Sequence, residues 1–309
     1  MKTLIISNNA IGDTYISLSA IKYVRNSIGG EVHICYKLDS ALLGDRLESE
    51  KVYILKSKNV FQVFITLLKI RKIKYDYSFS FFPGKLNNLM LLMSRSKKKY
   101  DYRLIGGNTD WHSATSVVFC NRKIRNIFKW TREMNFQDRI KIIFLASGLD
   151  FQNIEKYRIA INSQNQKNGF VIHFNSREVK KSLSIKCLQE LTDFLAEKYF
   201  EKITVIGNSY DLGLLNEFVN KNISFFNAKK LSELVSLIIE SKLFIGVDSF
   251  PLHVSDAHYA NFIGLFSITD PKSVLINHQN GILFGSESLH NVTASEIIPH
   301  IEKCYLIHE

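Results

Sequence analysis

The chain has 309 residues, of which 46% are hydrophobic and 22% charged, the composition of a soluble globular protein with room for two domains. No apolar run approaches the roughly 20 residues of a membrane-spanning helix, and the apolar run at the start is too short for a secretory signal. The four cysteines are far apart and lack CxxC or Cys/His ligand spacing, which favours a reduced, cytoplasmic protein without a structural metal site.

The net charge of +11 is concentrated in the first half of the chain. Residues 1–150 contain 25 Lys and Arg against 12 Asp and Glu, whereas residues 151–309 contain 15 against 17. This asymmetry predicts an anionic partner for the first half: nucleic acid, an anionic membrane surface or a phosphorylated acceptor. Because the sequence has no recognised nucleic-acid motif, we predict that nucleic acid is not a partner.

In chain order, the first half alternates between strand and helix patterns. Thr3–Ser7 is typical of a buried strand, and apolar residues at helical spacing follow it from Leu18 to Ile28, closed by Gly29-Gly30. Lys97-Lys98-Lys99 is interpreted as a surface feature. The other predicted elements are strands at Val32–Tyr36, Asp76–Phe82 and Tyr102–Ile105, and helices at Val60–Ile70, Lys85–Ser94 and Asn135–Ser147.

A polar stretch, residues 153–168, predicts a linker between an N-terminal domain (1–152) and a C-terminal domain (169–309). Strand–helix alternation in both domains predicts an α/β protein with two Rossmann-like, doubly wound parallel sheets. Ligands of such sheets bind beyond the carboxyl ends of the strands. The predicted C-terminal strands are Phe170–Phe174, Ile203–Ile206, Ile223–Phe226, Leu243–Val247 and Phe262–Phe266, and the helices are Ser184–Tyr199, Asp211–Asn220, Leu231–Glu240, Pro251–Ala260 and Ala294–Ile307.

The segment after the apolar strand Leu243–Val247 is a candidate phosphate site. The chain turns at Asp248-Ser249 and restarts as a helix at Pro251, a residue favoured in the first helical turn. Such a turn directs backbone N–H groups and a hydroxyl towards an anion, and His253 could add another donor. An ordinary strand–helix turn with an Asp cap is the alternative, and these residues alone do not decide between the two.

Asp13 is a candidate catalytic carboxylate. It follows the first strand and Gly12, whose lack of a side chain would allow a tight turn. A carboxylate at the start of a helix can accept a proton from a substrate hydroxyl, although Asp is also favoured as a helix N-cap. The single glycine of this loop differs from the three glycines of the dinucleotide-binding fingerprint.

Lys180-Lys181 follows the predicted strand Phe170–Phe174, where a lysine can neutralise a diphosphate. A solvated surface pair is the alternative interpretation. The sequence contains no Asp-x-Asp pair, the motif whose two carboxylates usually coordinate a divalent cation beside a nucleotide diphosphate. We therefore predict chemistry without a metal.

Several blocks, in order along the chain, resemble the ADP-heptose:lipopolysaccharide heptosyltransferases of glycosyltransferase family 9. The most specific block is Phe244–His253 with Leu265-Phe266 and Thr269-Asp270-Pro271, which is similar to the family pattern FVGNDSGPMH…LFGPTDP. The other blocks are Ile11-Gly12-Asp13 with Ser17–Ile21, Tyr75-Asp76-Tyr77-Ser78, Val171-Ile172-His173 with Lys181–Ser184, and Val205-Ile206-Gly207.

This resemblance implies a GT-B fold, with two Rossmann-like domains facing across a cleft and an inverting, metal-independent transfer. Asp13 would be the general base, and Lys181 would stabilise the diphosphate leaving group. Asp248 would bind the donor sugar or its phosphate surroundings. The donor-side candidates are Lys181, Asp248, Ser249, His253 and Gly207, and the acceptor-side candidates are Gly12, Thr14, Lys85 and Arg103.

The implied partners are a nucleotide sugar, with ADP-heptose as the leading candidate, and an anionic phosphorylated glycolipid or saccharide acceptor. The enzyme would be cytoplasmic, with transient peripheral contact at the inner face of the cytoplasmic membrane. Two departures from the family pattern bear on activity: Phe250 replaces a glycine, and Phe174-Asn175 replaces Pro-Gly. They leave a second hypothesis open, a catalytically silent GT-B relative that binds a nucleotide or glycan.

Overall fold

The computed structural model describes residues 1–7, 10–37, 49–55, 59–82, 84–100, 135–149, 167–207 and 223–306. The chain divides into two compact units, Met1–Tyr157 and Arg158–Glu309. The predicted strand at 102–105, the predicted helix at 211–220 and nearly all of the predicted linker lie outside the described residues. Among the helices of the described ranges, none is both long and apolar enough to cross a membrane.

The N-terminal unit contains a parallel sheet of order β3-β2-β1-β4-β5. Its central strand, β1, is buried on both faces, since Leu4, Ile5 and Ile6 have no exposed surface. The strands are β1 (Lys2–Ser7), β2 (Glu31–Lys37), β3 (Lys51–Leu55), β4 (Lys74–Ser80) and β5 (Arg95–Tyr100), and the helices are α1 (Ile11–Ile28), α2 (Val60–Arg71), α3 (Lys85–Met93) and α4 (Phe136–Ala146).

Helices α2 and α3 contact each other and pack against one shared apolar cluster of this unit. The cluster joins Leu67 of α2 and Met90 of α3 to Leu4 and Ile6 of the central strand. Burial of this apolar surface provides the driving force that holds the two amphipathic helices on the sheet. In the chain, α2 connects β3 to β4 and α3 connects β4 to β5, so each helix is a crossover between parallel strands of one sheet.

The C-terminal unit contains a second parallel sheet, of order β11-β10-β9-β6-β7-β8. The strands are β6 (Phe170–His173), β7 (Ile203–Ile206), β8 (Ile223–Phe226), β9 (Leu243–Val247), β10 (Phe262–Phe266) and β11 (Gly281–Leu283), and the helices are α5 (Ile185–Tyr199), α6 (Leu231–Ile239), α7 (Phe250–Ala257), α8 (Pro271–Val274) and α9 (Ala294–Leu306). The prediction of two parallel-sheet α/β domains is therefore confirmed.

Each sheet has one point at which the strand order reverses. In the C-terminal unit the chain runs outward from β6 to β8 and then returns to add β9 on the other side of β6. In the N-terminal unit the same reversal separates β1 from β4. The loops at the carboxyl ends of two such strands turn to opposite faces of the sheet and leave a crevice, which is where α/β sheets bind ligands.

Candidate functional site

Polar side chains from two neighbouring strand ends meet at the reversal point of the C-terminal sheet. β6 ends at His173, whose backbone pairs with Gly246 near the end of β9. His173 Nδ1 lies 2.9 Å from Ser249 Oγ, and the Ser249 hydroxyl donates to the Val247 carbonyl over 3.0 Å. The structure thus brings His173 and Ser249 together although 76 positions separate them in the chain.

Lys181 and Asp248 form an ion pair at the same point of the sheet. Lys181 Nζ lies 2.7 Å from Asp248 Oδ2, and the two side chains are only 20% and 8% exposed. Lys181 belongs to a single 3-10 turn, Val179–Lys181, that follows β6, and Asp248 directly follows β9. We call His173, Lys181, Asp248 and Ser249 the strand-end cluster.

Opposing electrostatic effects act on Asp248. Burial raises the pKa of its carboxyl group, but the charges of Lys181 and His253 and the hydrogen bond from Lys181 lower it by more. The resulting pKa is below the ordinary value, so Asp248 is ionised at neutral pH. The ionised carboxylate holds the Lys181 ammonium group in a fixed position, and a charge fixed in advance binds an anion with less reorganisation.

His173 contributes a neutral imidazole to the strand-end cluster. Burial lowers the pKa of His173 to about 4, so the ring is uncharged at neutral pH. His253 lies in the first turn of α7 and is almost completely buried. Lys181 is therefore the principal cation of the cluster.

The loop that carries Lys181 is held by side chains that sequence reasoning did not select as site residues. Ser182 Oγ donates to Asn175 Oδ1 over 2.8 Å and accepts from the Ser176 backbone N–H over 2.9 Å. The Lys180 carbonyl accepts from the hydroxyl of Ser267. Ser and Asn in a loop give no periodic signal in a sequence, so these positioning contacts become visible only in the structure.

Gly207 lies directly after β7, the other neighbour of β6. Its backbone N–H donates to the Phe226 carbonyl over 3.2 Å, which joins the ends of β7 and β8.

Phe250 is the first residue of α7 and is half-buried. The N-terminus of α7, with Ser249 as its N-cap, therefore borders the strand-end cluster, where the helix dipole favours an anion.

In the N-terminal unit, Asp13 occupies the third position of α1, and the N-cap is Ala10. The alternative interpretation of Asp13 as the N-cap is therefore wrong. The expected tight turn at Gly12 is also wrong, because Gly12 is buried in the first turn of the helix. Asp13 itself is partly exposed.

Thr14 has no exposed surface, and its hydroxyl is engaged inside the protein. Thr14 Oγ1 donates to the Ala10 carbonyl over 3.2 Å and accepts from Ser7 Oγ over 3.2 Å. These bonds tie the first turn of α1 to the end of β1. Thr14 thus fixes the helix turn that carries Asp13.

Lys85 begins α3, which follows β4, and Asp13 lies in the helix that follows β1. Since β1 and β4 are paired neighbours, both segments lie at the reversal point of the N-terminal sheet. Arg103 lies outside the described residues.

Within the described ranges, no group of three or more His, Cys, Asp or Glu could hold a metal ion.

Two Rossmann-like units, the second with a largely buried Lys–Asp ion pair at the reversal point of its sheet, have the architecture of the GT-B fold. The sequence profile of glycosyltransferase family 9 (heptosyltransferase) matches residues 109–293, which is more than half of the chain. The chain therefore belongs to glycosyltransferase family 9, as the sequence resemblance indicated. No curated protein matches the sequence.

Three solved structures show the same fold along almost the whole chain. The glycosyltransferase family 9 protein of Veillonella parvula DSM 2008 has 11% identity and a TM-score of 0.73, covering 99% of this chain and 97% of its own. E. coli ADP-heptose lps heptosyltransferase II has 15% identity and a TM-score of 0.72, covering 99% of both chains. E. coli heptosyltransferase WaaC with ADP-2-deoxy-2-fluoro heptose has 15% identity and a TM-score of 0.70, covering 98% and 99%.

Proposed function

We propose that the protein transfers a heptose or related sugar from a nucleotide diphosphate donor to a lipopolysaccharide-core or other cell-envelope glycan. The observation that carries the proposal is the Lys181–Asp248 pair at the reversal point of the C-terminal sheet. Family membership supports the reaction class. The similar E. coli structures, one named for ADP-heptose and one holding an ADP-heptose analogue, support ADP-heptose as the donor.

The strand-end cluster and the N-terminus of α7 together offer a diphosphate positive charge and hydrogen-bond donors. The Lys181 ammonium group supplies positive charge, and the N-terminus of α7 supplies backbone N–H groups beside the Ser249 hydroxyl. Asp248 holds Lys181, and its proposed second role is to accept hydrogen bonds from sugar hydroxyls. His253 in α7 and Gly207 after β7 complete the proposed donor side.

The proposed reaction is a single displacement at the anomeric carbon. An acceptor hydroxyl oxygen attacks that carbon, its proton passes to the Asp13 carboxylate, and the bond to the diphosphate oxygen breaks. Attack on the face opposite the leaving group inverts the anomeric centre. Lys181 stabilises the negative charge that develops on the departing nucleoside diphosphate, the task that a divalent cation performs in other glycosyltransferases.

The acceptor side is assigned to the N-terminal unit, whose basic character suits a phosphorylated saccharide. Lys85 and Arg103 are proposed to contact acceptor phosphates. Gly12 lies next to Asp13, and Thr14 fixes the turn through Ser7 and Ala10. A lipid-linked acceptor would place the reaction at the cytoplasmic face of the inner membrane.

The general-base assignment is tested by Asp13→Asn, which keeps the size of the side chain and removes its basicity. We expect sugar transfer to fall by at least about 100-fold, while ADP binding is unchanged because the donor contacts lie in the C-terminal unit. Asp138→Asn in α4 is the matched control and should keep full activity. Full activity of Asp13→Asn would contradict the assignment.

A second candidate function follows from Phe250, which stands at the N-terminus of α7 where the family pattern has glycine. A ring at this position reduces the room for close approach of a phosphate to the helix N-terminus. The protein would then bind a nucleotide or glycan without transfer. ADP binding by a protein that transfers no sugar, with transfer restored by Phe250→Gly, would favour this function.

A further inference from the structure

Helix α2 exposes an apolar stripe on its outer face. Phe61, Phe64 and Leu68 are 68%, 54% and 43% exposed, and Val60 at the start of the helix is also exposed. Their spacing of three and four residues places them on one side of the helix. The outer face of a surface helix is normally polar, so a contiguous apolar stripe marks a surface that contacts something else.

Helix α3 extends this apolar surface. It contacts α2 on the same face of the sheet, and its Leu89 and Leu92 are exposed. The inner sides of both helices are already packed, through Leu67 and Met90 among others, in the shared apolar cluster. The exposed residues are therefore a second apolar face and not poorly packed core residues. We call the outer faces of α2 and α3 the exposed helix face.

Basic residues lie beside the apolar stripe. An open groove of about 670 Å³ lies along the end of α2 and the start of β5, a size that can accommodate a lipid headgroup. Between positions 51 and 100 the chain has twelve Lys and Arg and a single acidic residue, Asp76, which pairs with Lys97. The groove is lined by Ile65, Leu68, Lys69, Arg71, Lys72 and Arg95.

We propose that the exposed helix face docks on an anionic lipid bilayer. Exposed rings such as Phe61 and Phe64 enter the boundary between headgroups and acyl chains, and Lys69, Lys72 and Arg95 contact lipid phosphates. The adjacent cations favour a bilayer over a protein partner, because they match the negative potential of a cytoplasmic leaflet. This inference deepens the proposed function by naming a membrane-binding surface, but its test needs no sugar transfer.

The test is co-sedimentation of the full chain with vesicles of phosphatidylcholine containing phosphatidylglycerol, compared with pure phosphatidylcholine. The wild type should bind the anionic vesicles, and binding should weaken as salt is raised. Phe61→Ser/Phe64→Ser and Lys69→Gln/Lys72→Gln should each weaken binding about tenfold or more.

Matched controls lie in the C-terminal unit, where Phe200 is 85% exposed and Lys186 and Lys229 are exposed. Phe200→Ser and Lys186→Gln/Lys229→Gln should bind vesicles like the wild type. ADP affinity, measured on every variant, shows that each is folded and separates this test from that of the donor site. A protein that binds ADP but not vesicles would contradict only the membrane proposal. A protein that binds vesicles but not ADP would contradict only the proposed donor site.

Three outcomes would overturn the proposal. The first is a wild type that ignores anionic vesicles at low salt. The second is that the Phe61/Phe64 and Lys69/Lys72 double variants bind anionic vesicles as tightly as the control variants do. The third is that light scattering shows a wild-type dimer that Phe61→Ser/Phe64→Ser dissociates, while neither the dimer nor the monomer binds vesicles. The exposed helix face would then join two copies of the chain.

Discussion

At the scale of single residues, the strand-end cluster rests on contacts between residues distant in sequence. Lys181 and Asp248 were both selected from local patterns, one as a lysine after a strand and one as part of a strand–helix turn. No local pattern indicates that the two side chains form an ion pair across 67 positions. The residue types of the site were thus predictable, whereas the pairing depends on the neighbouring positions of β6 and β9.

His173 makes the stability of the protein depend on pH. Burial lowers its pKa from the ordinary value of 6.5 to about 4. Between these values the unfolded chain binds a proton that the folded chain does not, so stability is lost as the pH falls from about 6.5 towards 4. We expect this residue alone to reduce the free energy of unfolding by about 2 kcal/mol between pH 7.5 and 5.

Urea unfolding at the two pH values, for wild type and His173→Gln, measures this contribution. The variant should lose less stability on acidification, because glutamine does not titrate. His290→Gln, at an exposed position, is the control and should behave like the wild type. Equal acid sensitivity of wild type and His173→Gln would show that the buried imidazole is not the titrating group.

At the scale of elements, sequence periodicity identified the buried strands and missed both edge strands of the N-terminal sheet. β1, β6 and β9 are apolar runs, and the structure confirms all three. β3 was missed because its exposed positions include Val52 and Ile54 beside Lys51, so apolar and polar residues do not alternate along it. β5 was missed because basic residues occupy its exposed positions, as in Lys97–Lys99. Those lysines were interpreted correctly as surface residues, but an exposed edge strand has too little apolar alternation to predict.

Helix α5, which follows the Lys181 loop, begins at a side-chain cap. Ser184 Oγ accepts a hydrogen bond from the Cys187 backbone N–H over 3.1 Å. Ser184→Ala should lower the free energy of unfolding by about 1 kcal/mol, because one buried helix donor loses its partner. Urea unfolding checks this value.

Ser236→Ala inside α6 is the matched control for Ser184→Ala, and it should leave stability unchanged or raise it slightly, since alanine favours a helix interior. If Ser184→Ala is as stable as Ser236→Ala, the cap does not hold the start of α5. The Lys181 loop would then depend on its other contacts, those of Asn175, Ser182 and Ser267.

At the scale of the whole molecule, strand–helix alternation was enough to predict two doubly wound parallel sheets. The order of the strands was not predictable, because each return of the chain across a sheet depends on packing between distant elements. That order determines which loops become neighbours. It places the loops after β6 and β9 together and so joins two separate motifs into one candidate site.

The central claim is that the strand-end cluster binds the diphosphate of a nucleotide. Calorimetric titration of ADP into the protein, in the presence of a chelator, tests it for wild type, Lys181→Met and Lys180→Met. Lys180 is exposed and serves as the neighbouring control. We predict that ADP binds wild type and Lys180→Met equally and binds Lys181→Met about tenfold or more weakly. Absence of ADP binding to the folded wild type, or equal affinity for Lys181→Met, would contradict the account.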